Sequence, residues 1–315
     1  MTQDSSKIPP RCGAKRINDI QPFRVVEVLT RAKQLESLGR DIVHMQAGEP
    51  DFATAEPIIE AGVAALRNGA THYSDACGIQ PLREAIAEYY RQDYGVDVAP
   101  ERIMVTPGAS GALLLIASLL INPGDSVLMT DPGYPCNRHF MRLVEGEGQL
   151  VAVDAADRYQ LTAASAEAAW RDNTVGAMVA SPANPTGEIL DAGQLTDLYK
   201  LVASRGGHLI VDEIYHGLTY HDAADSRFAG QRPQTALALG DKVVVINSFS
   251  KYFGMTGWRL GWMVVPEHYI PVVERLAQNL FLAPTTPSQY AALAAFDELR
   301  LGAFKQRVIS AFSSM

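Results

Sequence analysis

The sequence predicts an α/β fold built on a mostly parallel sheet sandwiched by helices. Three observations carry this prediction. Short β-branched or apolar runs recur along the chain, each is followed by a loop of Gly, Pro, Ser or Asn, and helical patterns alternate with them. Runs that are apolar nearly throughout belong to strands buried on both faces, as in parallel sheets. The 315 residues suffice for one large or two moderate domains with a sizeable core.

The elements follow in chain order. Residues 20–38 read as a loop and then a helix outside the main sheet. Over 57–68, Ile58, Ile59, Gly62, Val63 and Leu66 fall at helical spacing. Residues 81–94 open with Pro81 at a first helical position and repeat Leu82, Ala85, Ile86 and Tyr89, a second helix. A strand over 102–106 enters the loop Pro107-Gly108-Ala109-Ser110 and then a helix over 111–121. A strand over 126–130 leads into Asp131-Pro132-Gly133-Tyr134-Pro135. The strand 177–180 leads into a loop over 181–187, and His208–Asp212 leads into Glu213-Ile214-Tyr215. Residues 242–247 lead into 248–257, and 260–265 read as one more strand. These polar loops follow the carboxyl ends of strands, where open α/β sheets bind ligands.

Composition narrows the function classes. Twenty-seven Lys and Arg against 35 Asp and Glu give a net charge of -8, with the basic residues scattered. Binders of nucleic acid or anionic membranes need a clustered positive face, so neither is expected. Cys12, Cys77 and Cys136 are odd in number and form no CxxC pair. Neither a disulfide framework nor a cysteine metal site is expected, and a reducing cytoplasm is the predicted location. The opening residues carry no apolar secretory core, and the apolar stretch 112–121 falls short of the roughly 20 residues of a membrane helix.

Several loops carry residues with chemical potential, each beside a plainer reading. Gly108, Ala109 and Ser110 are small residues before a helix, where backbone N–H groups bind phosphate; the plain alternative is a connector. No Walker lysine follows them, and Gly146 and Gly148 lack the third glycine of a dinucleotide fingerprint. Asn184 in Asn184-Pro185-Thr186-Gly187 offers a side-chain donor to a ligand, with Pro185 a candidate cis peptide; a simple turn is the alternative. Asp212 ends an apolar strand, so its carboxylate needs a partner: a cationic heterocycle, or a helix end that it caps. Tyr215 presents a phenol near it or packs in the core. Lys251 lies among Phe249, Tyr252 and Phe253, where desolvation lowers its pKa and makes a Schiff-base nucleophile; a surface lysine is the alternative. Arg259 brings a phosphate-matching fork or makes an ordinary ion pair.

A phosphate cradle, a Schiff-base lysine, a carboxylate for a ring nitrogen and two groups for a phenolic oxygen together describe one cofactor, pyridoxal 5'-phosphate. The chain resembles the class I/II aminotransferases, fold-type-I enzymes that use this cofactor. The matching runs are Gly48-Glu49-Pro50-Asp51-Phe52, Tyr73 with Gly78-Ile79 and Leu82-Arg83-Glu84, residues 106–111, Asp131-Pro132-Gly133-Tyr134, residues 184–187, Asp212-Glu213-Ile214-Tyr215, and Ser248-Phe249-Ser250-Lys251 through Gly254-Met255-Thr256-Gly257-Trp258-Arg259. They occur in family order over residues 20–295.

The resemblance assigns roles residue by residue. It implies that Lys251 forms the Schiff base and later moves the substrate proton, and that Asp212 keeps the pyridine nitrogen protonated. Asn184 and Tyr215 are similar to the groups bonded to the ring 3'-oxygen, and Tyr134 to the aromatic stacked on the ring. Gly108, Ala109, Ser110, Ser248 and Arg259 resemble the phosphate site, with Ser250 a weaker member. Tyr73 matches a tyrosine that reaches the phosphate of the neighbouring subunit, which implies a homodimer with shared sites. Gly48 matches the glycine near the substrate carboxylate, where Asn184 also contributes.

The implied activity is transfer of an amino group between an α-amino acid and a 2-oxo acid. A lyase or decarboxylase on the same scaffold is the alternative, as is an impaired cofactor-binding protein. The last alternative follows from one departure: the family's substrate-carboxylate arginine lies in a C-terminal small domain, beyond residue 315. The family pattern fades after Phe296, and Arg300 and Arg307 sit in no matching context. The expected organisation is an N-terminal arm with part of a small domain over 1–45, a cofactor-binding large domain over 46–285, and the start of a truncated small domain over 286–315.

Overall fold

The computed structural model describes residues 13–50, 52–219, 233–240 and 242–297. Cys12, Asp51, Arg300 and Arg307 lie outside the described residues. Seven strands form one sheet: β1 (Ile103–Thr106), β2 (Ser126–Asp131), β3 (Glu147–Ala152), β4 (Thr174–Ala180), β5 (His208–Asp212), β6 (Val244–Ser248) and β7 (Gly261–Val264). Their order is β1-β7-β6-β5-β4-β2-β3. The pairs β2–β3, β2–β4, β4–β5 and β5–β6 are parallel, and β7 alone runs antiparallel to its neighbours β1 and β6. The predicted fold class is the observed one.

The helices are α1 (Arg24–Ser37), α2 (Glu56–Arg67), α3 (Gln80–Tyr94), α4 (Gly108–Leu120), α5 (Asn137–Leu143), α6 (Ala163–Ala169), α7 (Ala192–Ser204), α8 (Ile270–Leu280) and α9 (Thr286–Leu293). Side chains of a strand alternate between faces, so each strand feeds two apolar layers. On β5, Leu209 and Val211 join the layer that holds Leu82 and Tyr90 of α3, Leu198 of α7 and Ala292 of α9. Ile210 points to the opposite layer, with Leu115 and Ile116 of α4 and Val273 of α8. Both faces are therefore covered by helices. Trp262 of β7 is fully buried and donates through Nε1 to Tyr90 Oη at 3.1 Å. Truncating such a side chain to alanine costs about 3–5 kcal/mol.

The structure corrects several boundaries. The helix expected over 111–121 starts at Gly108, so Gly108, Ala109 and Ser110 form its first turn rather than a loop. The strand expected over 242–247 is Val244–Ser248, and that over 177–180 starts at Thr174. Strand β3 and helices α5 to α9 carry no expectation from the sequence. Helices α6 and α7 do carry capping boxes, Thr162 with Ser165 and Asp191 with Gln194, which signal a helix start.

Candidate active site

The carboxyl ends of four parallel strands and the N-terminus of α4 converge on one side of the sheet. β2 delivers Tyr134, β4 delivers Asn184, β5 delivers Asp212 and Tyr215, and β6 delivers Ser248, Ser250 and Lys251. The Asp131–Pro132, Ser181–Pro182 and Asn184–Pro185 peptides in these loops are cis.

The anion-binding part centres on α4. Its N-cap, Pro107, makes no side-chain capping bond, so the first-turn amides of this 13-residue helix stay open to a ligand. Gly108 has φ +67°, and a Cβ placed on it would stand 2.7 Å from Arg259 Nη2. The guanidinium thus lies against the helix N-terminus, where positive charge and backbone donors act together. Arg259 itself has φ +53° and is steadied by donation from Nη1 to Thr256 O at 2.9 Å. Gly261 closes the arrangement from β7, because a Cβ there would meet Ala109 N at 2.9 Å. Ser248 Oγ donates to Leu260 O at 3.1 Å and lies 3.0 Å from Ser250 Oγ, so both hydroxyls are buried behind the cradle.

Asp212 is buried, and the hydrogen bond it receives is from Ile214 N at 3.0 Å. Burial pushes its carboxyl up to about 6, only partly opposed by that amide. Among the described residues no cation pairs with this carboxylate, and a protonated ring nitrogen would supply one. Asn184 Nδ2 donates to Tyr215 Oη at 3.5 Å, bringing two predicted partners of one oxygen together. Burial raises the Tyr215 phenol, the Asp212 charge raises it further, and Asn184 opposes both. The Tyr134 phenol is likewise raised by burial first and feels both Tyr215 and Asp212. Phe23, at the start of α1, meets the Tyr134 ring edge-on at 5.8 Å.

Lys251 Nζ sits 6.0 Å from the centroid of the Tyr215 ring and donates to the Gly48 carbonyl. Burial holds its pKa below the ordinary lysine value; Glu49 opposes this and Arg259 reinforces it. The segment carrying Gly48 is pinned nearby: Thr54 Oγ1 donates to Gly254 O at 2.7 Å and receives Trp258 Nε1 at 3.1 Å. A cavity of about 640 Å³ opens there, lined by Glu49, Pro50, Thr54, Thr256, Trp258 and Arg259 among others.

The residues singled out in the sequence therefore assemble into one site, with one exception. Tyr73 stands apart with its side chain 82% exposed. Residues that sequence reasoning missed are Thr54, which ties the Gly48 segment to the Lys251 loop, and Glu213, buried directly behind Asp212. The strand period held the signal for Glu213, since its neighbour Asp212 faces the site and it must face the core. A cradle that a side chain would fill, a buried carboxylate without a cation and an amine kept below its normal pKa all fit pyridoxal phosphate.

Comparisons with known proteins agree. A family model described as aminotransferase class I and II matches residues 40–310, reaching past the point at which recognisable motifs end. A (5-formylfuran-3-yl)methyl phosphate transaminase of Methanocaldococcus jannaschii is 36% identical, over 90% of this chain and 72% of that protein. A valine–pyruvate aminotransferase of Mycobacterium tuberculosis is 38% identical, over 88% of this chain and 69% of that protein. The solved aspartate aminotransferase of Thermus thermophilus with maleate is 30% identical with a TM-score of 0.89, covering 96% of this chain and 78% of that one. Among the described residues, no helix is long and apolar enough to cross a membrane. The chain belongs to the class I and II aminotransferases, transferases that depend on pyridoxal phosphate.

Proposed function

We propose that this chain moves an amino group between an α-amino acid and a 2-oxo acid, with Lys251 as the residue that binds the cofactor covalently. The observation that supports this best is the gathering, at the carboxyl ends of the parallel strands, of Lys251, a buried Asp212 with no cation beside it among the described residues, and the Gly108–Arg259 cradle. When bound, pyridoxal phosphate supplies an electron sink for the negative charge left at the substrate Cα.

The chain's own residues do the rest. Gly108, Ala109, Ser110, Ser248 and Arg259, with Ser250 behind them, hold the phosphate through amides, hydroxyls and a guanidinium. Asp212 keeps a proton on the ring nitrogen, and the ion pair relieves the unmet charge of its buried carboxylate. Asn184 and Tyr215 orient the ring through its 3'-oxygen, and Tyr134 covers its face. The Lys251 amine, whose charged form burial disfavours, takes the proton from substrate Cα. Gly48 and Asn184 lie where the substrate carboxylate is held.

A homodimer is part of the proposal, because the family resemblance assigns Tyr73 to a neighbouring subunit's phosphate and its exposure leaves it free to reach one. So is a cytoplasmic location, supported by the unpaired Cys77 and Cys136. The domain reading is an arm with part of a small domain over 1–45, a cofactor-binding unit over 46–285 and the start of a small domain from 286, with α9 at that boundary packed into the cofactor-binding unit's core. The test is product analysis with purified, cofactor-loaded protein and a panel of amino acids. New amino acid formed only when a 2-oxo acid is present supports the reading. Ammonia and pyruvate released without an acceptor point instead to a lyase.

A further inference from the structure

Directly behind Asp212 lies a second buried acid that the proposed chemistry does not use. Consecutive residues of an extended chain face opposite ways, so Asp212 faces the site while Glu213 enters the layer of Tyr90 and Tyr94. Glu213 is 1% exposed. Its Oε1 accepts from Ala236 N at 2.7 Å, and Thr235 Oγ1 donates to Oε1 at 3.0 Å and to Oε2 at 2.8 Å, shared between the two oxygens. Its backbone N–H donates to Ile246 O of β6 at 2.8 Å. His216, 4% exposed, turns Nδ1 toward Glu213 Oε2 at 3.5 Å, and neither of its ring nitrogens makes a hydrogen bond. The imidazole is stacked on Tyr94 at 5.4 Å.

Hydrogen accounting distinguishes the two oxygens. Oε1 takes the Ala236 amide and is the carbonyl oxygen. Oε2 also accepts from the Thr235 hydroxyl and faces a histidine nitrogen that has no hydrogen-bond partner among the described residues, which suits an acid hydroxyl that accepts from Thr235 and points its own hydrogen at His216. Among the described residues, the ionisable groups around Glu213 are Asp212, the last residue of β5, His216 on the following turn, and Tyr90 and Tyr94 on α3. None is a fixed cation. Two adjacent carboxylates buried without a cation cannot both stay charged at acceptable cost. The direction of titration agrees: burial pushes Glu213 up to about 8 although the bonds from Ala236 and Thr235 oppose it, and burial pushes His216 down to about 3.

We propose that Glu213 is a positioning residue for Asp212: a buried neutral acid, clamped by Thr235 and Ala236 with its hydrogen facing His216, that fixes the end of β5 without adding a second negative charge beside Asp212. This rests on the reading of Asp212 as the partner of the cofactor ring. The clamp joins β5 to the turn that follows Thr235, so the strand end cannot shift without breaking it.

The test uses the cofactor-loaded full chain and three variants, Glu213→Gln, Glu213→Ala and Thr235→Val. Difference infrared spectra of wild type against E213Q at neutral pH are expected to show loss of a protonated-carboxyl carbonyl band. E213Q, which keeps shape and neutrality, is expected to fold, and the pH midpoint of the cofactor's visible absorbance should stay within about 0.3 unit of wild type. E213A and T235V are expected to move that midpoint and weaken cofactor retention, which E213Q then rescues. Loss of a carboxylate band, failure of E213Q to fold, or an E213Q midpoint shifted by about one unit or more overturns the proposal. So does a T235V protein that is less heat-stable yet keeps the wild-type midpoint, because the role is then only structural; this arm stands even where E213A does not fold. Failure of the wild type to show cofactor absorbance instead sinks the reading of function, while infrared spectra of the cofactor-free protein still decide the state of Glu213.

Discussion

The Arg259 guanidinium fills the space that a side chain on Gly108 would need, since a Cβ there would stand 2.7 Å from Nη2. Gly108 also has φ +67°, a conformation that costs an L-residue about 1–2 kcal/mol. Gly108→Ala is therefore expected to displace Arg259 and raise the dissociation constant for pyridoxal phosphate about tenfold, the worth of a lost charge-assisted contact. Stability of the cofactor-free protein should fall by only about 1–2 kcal/mol. Equilibrium binding beside denaturant melts checks both numbers, and unchanged cofactor affinity contradicts the cradle.

Lys251 is subject to three influences, with burial and Arg259 lowering its pKa and Glu49 raising it. In cofactor-free protein, the pH profile for labelling Lys251 with an amine-reactive reagent should lie below that of an ordinary lysine. Glu49→Gln is expected to move the profile to lower pH, and Arg259→Gln to higher pH. Peptide mass spectrometry after timed labelling measures it. A profile that ignores both substitutions means that Lys251 does not sense its neighbours.

Asp212 titrates near 6 instead of 3.8 because burial disfavours its charge. The folded state then binds its proton more tightly than the unfolded state, so stability falls as pH rises from about 4 to about 6 and stays low above that. The penalty at neutral pH is on the order of 3 kcal/mol. Cofactor-free Asp212→Asn should match wild type near pH 4 and exceed it at pH 7, although the loaded variant loses activity for want of the ring-nitrogen partner. Denaturant melts across pH supply the comparison. Equal slopes for the two proteins between pH 4 and 6 argue against an unpaired buried carboxylate.

The architecture was legible where strands are buried on both faces. β5 and β6 are apolar throughout because helices cover each side, and their polar ends mark the site. β3 was not legible. It forms the edge of the sheet, half of its residues are exposed, and Glu147, Gly148 and Gln149 open it, leaving only a short apolar run from Leu150. The start of α4 was read three residues late because it lacks a Ser, Thr, Asp or Asn cap. Pro107 stands there instead and leaves the amides open for a ligand. Gly108, Asn184, Asp212, Tyr215, Lys251 and Arg259 were legible from residue type and place in the loops, Gly48, Tyr73, Tyr134 and Ser248 only through the family resemblance, whereas Glu213 acts through burial, which composition does not show.

Tyr73 is 82% exposed although the resemblance places it at a phosphate site. Tyr73→Phe is expected to weaken cofactor binding about tenfold through loss of one hydrogen bond to a charged group. Mixed dimers locate that bond. When Tyr73→Phe subunits are exchanged with Lys251→Ala subunits, the one site that keeps Lys251 receives Tyr73 from the other chain. Restored cofactor affinity at that site is the expected result, and no restoration places Tyr73 in its own subunit's site or in none.

The central claim is that Lys251 bonds the cofactor. Borohydride reduction of the pyridoxal-phosphate-loaded protein, followed by peptide mass spectrometry, tests it most directly. The account predicts one reduced pyridoxyl adduct, on Lys251, that disappears in Lys251→Ala. An adduct on another lysine, or none on the wild type, contradicts it.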